Sequence, residues 1–148
     1  MQTRQFIEVI EKVKSGDTAR RHIRTVAATL RAVHAQGSVT LIFTGDREQQ
    51  ILNTRYRRRR RTTDVLSFPG TDGKRFVAVG EPQHIGDVVI SVPEARREAR
   101  RKGITLAAET MMLVVHGVLH CLGFDHERPA DSKKMLPLQR KILRQLMR

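Results

Sequence analysis

The sequence predicts an α+β fold, a single domain over residues 1–148 with a small mixed β-sheet packed against about five helices. Three observations carry this reading. Short β-branched runs cluster in the middle of the chain, at 39–44, 65–68 and 85–91. Helical periodicity dominates both ends. The 148 residues, 39% hydrophobic and 29% charged, suffice for one core buried without staples. A sheet with helices layered on it satisfies all three.

In chain order, Phe6, Ile7, Val9, Ile10 and Val13 recur at a spacing that fits a helix over 1–14 better than a strand, although 6–10 also alternates well enough to pair. Asp17 is expected to cap a helix running to about His34, with Ile23, Val26, Ala27, Leu30 and Val33 on its inner face. Gln36-Gly37-Ser38 stops it before the strand at 39–44. Gly45-Asp46 turns into a helix from Arg47 to about Tyr56, with Ile51 and Leu52 inward. Five arginines follow, Arg57 to Arg61, then the strand at 65–68, closed by Pro69-Gly70. Residues 76–79 suggest a hairpin arm, and 85–91 is the third strong strand. Pro93 opens a charged helix ending near Gly103. Thr105 starts a strongly apolar helix ending near Gly123. A last amphipathic helix starts near Asp131, with Met135, Leu138, Ile142, Leu143 and Leu146 inward.

Composition narrows the function classes. The N-terminal stretch scatters charges and has no apolar block before a small-residue cleavage site, so no secretory signal is expected. The most apolar stretch, 111–124, falls short of the ~20 residues a membrane span needs, so no membrane partner is expected. The lone Cys121 cannot form an intramolecular disulfide, which with the missing signal favours a cytoplasmic location. Cys121 itself reads as a small core residue. The net charge of +13, from 28 Lys and Arg against 15 Asp and Glu, points to a polyanion. Nucleic acid is the expected partner; an anionic membrane surface ranks second on charge alone and is not expected, and an arginine-rich proteome would give the same count with no partner.

The most informative segment is His116-Gly117-Val118-Leu119-His120-Cys121-Leu122-Gly123-Phe124-Asp125-His126. Two histidines four apart on a helix differ by only about 40° in azimuth, so both imidazoles leave the same face. Gly123 lets the chain exit in a left-handed turn that can swing His126 back to the same point. Three imidazoles converging there would make a facial metal site at the end of the buried helix, with one divalent ion, Zn2+ by ligand type. A fourth protein ligand is not evident: Cys121 points away from the shared face, and Asp125 reads as a residue that orients a ligand. An open, catalytic site is therefore favoured over a closed structural one.

The spacing H-x-x-x-H-x-x-G-x-x-H is also that of metzincin proteases, in which Glu follows the first His as general base. Gly117 stands there instead, so the metal cage matches and the peptidase chemistry does not. Glycine in a helix interior costs about 1 kcal/mol relative to Ala. Something is expected to approach the backbone at Gly117, either a packed element or the substrate.

The H-G-x-L-H-x-x-G-F-D-H segment resembles the signature of the YbeY family of rRNA maturation factors, single-strand-specific metallo-endoribonucleases. Two more blocks are similar to that family's: Leu52-Asn53 through Tyr56-Arg57 with Thr63-Asp64-Val65-Leu66-Ser67-Phe68-Pro69, and Ile85-Gly86-Asp87-Val88-Val89-Ile90-Ser91. The resemblance spans roughly 38–146, and the first 37 residues carry no distinctive motif. It implies processing of the small-subunit rRNA 3′ end in the cytoplasm, a role in ribosome quality control, and a metal on the three histidines. The family's functional arginine falls on Arg57. Where the family reads Y-R-x-x-D-x-P-T, this chain has Arg60 for the acid and Thr62 for the proline, which makes the loop far more basic.

On this reading Arg57 stabilises charge developing on a phosphate, as a planar guanidinium can. Arg58, Arg59, Arg60 and Arg61 bind single-stranded RNA or form a solvated surface run. A second cluster, Arg96, Arg97, Arg100, Arg101 and Lys102, has Glu94 and Glu98 at pairing distance on its own helix. With one Tyr, five Phe and no Trp, base stacking contributes little. Water and an RNA 2′-hydroxyl both remain open as nucleophile. Two rival readings are a non-catalytic ribosome assembly factor with a structural metal and, disfavoured by Gly117, a metallopeptidase.

Overall fold

The structure is a computed structural model that describes residues 6–57, 64–70, 83–124 and 129–147, with the side chains at 56–57 and 129–132 outside that description. The element order is β1 (Phe6–Glu11), α1 (Ala19–Ala32), β2 (Ser38–Thr44), α2 (Asp46–Arg57), β3 (Val65–Pro69), β4 (His84–Ser91), α3 (Val92–Lys102), α4 (Leu106–Cys121) and α5 (Pro129–Leu146). The sheet order is β1-β2-β4-β3. β1, β2 and β4 run parallel, and β3 joins antiparallel at the edge. This is the expected mixed sheet with five helices. The hairpin arm expected at 76–79 lies outside the described residues.

The N-terminal segment corrects the sequence reading: it is a strand, not a helix. Ile7 pairs with Val39 and Val9 with Leu41, and both pack on the core while Phe6 faces solvent. A spacing of two serves this face, and the β-branched residues suit a pleated edge better than a helix.

Two helix faces depart from expectation at single apolar positions, while Val26 and Leu30 of α1 are fully buried as expected. In α1 the N-cap is Thr18, not Asp17; its side chain accepts from the Arg21 N–H at 3.2 Å. Ile23 is 39% exposed, and the buried place goes to His22. His22 can lie inside because its ring packs on Phe43 at 4.5 Å and its Nε2 bonds Ser15 Oγ at 2.8 Å. Burial pushes its pKa down, so the interior position holds the neutral ring. In α2, Ile51 is 55% exposed, while Gln49 and Asn53 are buried. Gln49 Nε2 donates to the Val89 carbonyl of β4 at 3.0 Å, a polar docking that apolar periodicity cannot register.

The centre of the molecule is α4, which packs on β3, β4, α1, α3 and α5. One core cluster joins Leu113, Val114 and Val118 of α4 to the sheet and α1. A second joins Val115 and Leu119 to Met135, Ile142 and Leu146 of α5. α3 and α4 meet at 115°. The fully buried Glu109 carboxylate receives Lys102 Nζ from α3 at 3.0 Å, which ties that corner. Among the described residues no single helix is long and apolar enough to cross a membrane.

Gly117 sets how closely α4 approaches the sheet. A Cβ there would lie 2.5 Å from Val88 Cγ1, and Ser67 Oγ donates to the Gly117 carbonyl at 3.1 Å. Of the two approaches expected at this backbone, the structure shows a packed element. Gly117→Ala is expected to destabilise the fold by about 1–3 kcal/mol through overpacking, outweighing Ala's better helix propensity. Urea denaturation checks this, and adding Val88→Ala should restore part of the loss if the clash is its cause.

Candidate functional site

The site forms where α4 ends. His116 and His120 share one face, their ring centroids 4.8 Å apart and their planes inclined by 43°. The i, i+4 spacing predicts this juxtaposition. Beyond them α4 closes in a Schellman turn: the Gly123 N–H bonds the His120 carbonyl and the Phe124 N–H the Leu119 carbonyl, each at 3.0 Å. Gly123 takes the required positive φ of 96°, and Phe124 packs into the cluster that holds Leu119. The turn aims the chain toward 125–128. Asp125 and His126 lie there, outside the described residues, as do Arg58 to Arg61. Arg57 is the last residue of α2.

One partner of the histidines was not anticipated. His116 Nδ1 lies 3.0 Å from Gln139 Oε1 on α5. The amide oxygen only accepts, so Nδ1 carries the proton and Nε2 the lone pair. Metal-binding histidines are held this way by an acceptor behind the ring. The signal for Gln139 was present in the sequence: a polar residue interrupts the apolar stripe between Met135 and Ile142. The side chain is buried, as that stripe requires.

Asp64, just before β3, is close enough to His116 for their charges to interact. Burial raises its carboxyl above the usual range, opposed by hydrogen bonds from its own and the Val65 backbone N–H. Cys121 is turned into the core as expected. Its thiol approaches the Asp87 carbonyl at 3.8 Å, and burial pushes its pKa up to about 12. It is thus neither placed nor ionised to join the histidines.

Two of the three expected ligands are thus side by side, with the tautomer of the first set for coordination. Among the described residues no group of three metal-ligating side chains occurs. The donor chemistry present, adjacent imidazoles with an acceptor behind one of them, fits a borderline divalent ion such as zinc.

Three of the five α3 cations are paired. Arg97 bridges Glu94 and, at 2.8 Å, Asp46 of α2. Arg101 pairs with Glu98, and Lys102 with Glu109. The expected Glu94 and Glu98 pairs form, joined by two acids from outside the helix.

The protein-family profile described as Endoribonuclease YbeY matches residues 2–147, so it extends over the N-terminal segment that carries no motif. A protein of that name from Chelativorans sp. (strain BNC1) is 38% identical over 122 residues, covering 82% of this chain and 74% of that one. Another, from Myxococcus xanthus (strain DK1622), is 42% identical over 105 residues, 71% of this chain but only 35% of that longer relative. The solution structure of TM1509 from Thermotoga maritima superposes with a TM-score of 0.67 at 24% identity, over 95% of this chain and 89% of that one. That likeness concerns the fold alone. The profile spans nearly the whole chain, and the histidine pair sits where the family signature puts it: this chain belongs to the YbeY endoribonuclease family.

Proposed function

We propose that this protein is a metal-dependent endoribonuclease that cuts single-stranded RNA during rRNA maturation, at the 3′ end of the small-subunit rRNA, and in ribosome quality control in the cytoplasm. The observation that carries the metal reading is the Gln139–His116 bond beside His120, which holds one imidazole with its Nε2 lone pair set for coordination. His116, His120 and His126 would hold one divalent ion, Zn2+ by donor type. Bound there, it would supply a Lewis acid for a phosphoryl oxygen and lower the pKa of water toward neutrality.

The chain's own groups do the rest. Gln139 fixes the His116 ring, and the packing at Gly117 and Ser67 fixes the helix that carries it. Arg57, closing α2, would stabilise negative charge on the reacting phosphate, and Arg58 to Arg61 would gather RNA by its backbone. Asp125 would orient a ligand from behind. The inward turn of Cys121 supports an open catalytic site over a closed structural one, since this thiol does not supply a fourth ligand.

The experiment that tests the function is cleavage of unstructured RNA against a duplex of the same sequence, with and without chelation of the metal. Cleavage of the single strand alone, lost on chelation and restored by zinc, is the expected outcome; chelator-resistant cleavage would sink the metal's role. A second expected result is specific to α5. Gln139→Leu keeps the helix and removes the acceptor behind His116. It should weaken zinc binding by roughly 10–100-fold, the usual loss for such a partner, measured by competition with a chromophoric chelator.

A further inference from the structure

Two hollows open between α1, α4 and α5, with volumes of about 310 and 430 Å³, and both are lined by Arg24 and Leu146. Together they make one groove. Arg24 and Arg31 stand along its α1 wall, seven residues and so about 10.5 Å of helix rise apart, with Ala28 between them and Ala32 just beyond Arg31 as a low floor. Gln145 and Leu146 of α5 face them. Lys141 lies one turn before Gln145 on the same stripe and is exposed. The far end is apolar: Met111, Leu146 and Met147, the last 67% exposed. This is not the histidine face, because Met111 sits about 140° around α4 from His116.

Acidic partners are scarcer here than on α3, which carries Glu94 and Glu98 among its cations. No Asp or Glu occurs from Thr18 to Gly45 or from Ser132 to Arg148, although the chain has 15. Among the described residues Arg21 alone of the α1 cations has an ion pair, with Asp17. Arg24, Arg31 and Lys141 have none with a described residue. Uncompensated like charges on adjacent helices repel and destabilise the compact state, and a polyanion seated between them offsets that repulsion. A small-residue floor lets a strand approach the helix backbone. The flexible thioethers at the far end offer an adaptable apolar surface for a sugar or base edge. Cations along one wall and an apolar end match the alternating chemistry of an RNA strand, where a surface for an acidic peptide would need no such end.

We propose that this α1–α5 groove is an RNA-docking surface that holds the phosphodiester backbone of RNA outside the cleaved linkage. It rests on the reading that the substrate is RNA, and adds a second contact surface to it.

The test compares Arg24→Ala/Arg31→Ala with a charge-matched control, Arg96→Ala/Arg100→Ala on α3. All four positions are exposed and helical, so Ala is tolerated. Affinity of the full chain for a long unstructured RNA is read by fluorescence anisotropy over a salt series, and cleavage is read on a dinucleotide too short to leave the histidine pair. The groove variant should bind the long RNA roughly tenfold more weakly and lower the log–log salt slope by about 1.4, two contacts at about 0.7 each, with dinucleotide cleavage unchanged. The control should stay within about twofold of wild type, as remote exposed charges are screened. Equal loss in both variants would reduce the effect to net charge and overturn the groove, as would wild-type affinity in the groove variant or a matching loss of dinucleotide cleavage. Binding needs no cleavage, so a protein that cuts no RNA would end the nuclease reading while this measurement still stood.

Discussion

His116→Ala is expected to abolish binding of the proposed divalent ion and, with it, RNA cleavage. Elemental analysis of the wild type should give one ion per chain, and His116→Ala and His126→Ala should each fall far below that. The cleavage rate should drop by about three orders of magnitude, the equivalent of the several kcal/mol a Lewis acid contributes. RNA affinity should persist in both variants, because it comes from the +13 charge and not from the imidazoles. Retained affinity separates loss of the site from loss of the fold. Full metal stoichiometry in both variants would remove the three-histidine centre.

Arg57→Ala should lower the single-turnover rate at saturating RNA by about 10²-fold or more, the usual loss for one preorganised charge-stabilising donor. Affinity should change little, since one phosphate contact among many is a small share of the total. Arg59→Ala with Arg60→Ala should do the reverse, weakening binding and flattening the salt dependence with the saturated rate nearly intact. Arg57→Lys should rescue poorly, as it keeps the charge and loses the planar fork. Parallel losses of rate and affinity in both mutants would show one undivided electrostatic patch, and Arg57 would lose its separate role.

How far the sequence was legible depended on the kind of interaction at each point. α3 and α4 were legible because capping and periodicity are local: Ser91 and Thr105 cap them, and both end in left-handed glycine turns. The histidine pair was legible because four residues on one helix fix two side chains without any tertiary information. The strand at 6–11 was not, since its pairing with β2 reaches across α1. Nor were the polar members of the inner faces of α1 and α2, His22, Gln49 and Asn53, which a hydrophobic pattern does not select, although it does find Val26 and Leu30. Their burial is made tolerable by partners distant in sequence, Phe43 for His22 and Val89 for Gln49. Gln139 belongs to the same class: its break in the apolar stripe is visible in the sequence, but its bond to His116 emerges only when α5 is laid against α4.

The contact between Gly117 and Val88 also bears on which chemistries this scaffold can reach by mutation. In the metzincin pattern the residue after the first histidine carries the catalytic base. In this protein that position is aimed into the sheet, where a Cβ would already collide with Val88. A glutamate placed there would not merely be a missing base restored; its carboxylate would enter the buried layer beside Val88 and Ser67 at the penalty of burying a charge. The same histidine spacing therefore gives this protein no single-substitution route to the peptidase's base at position 117.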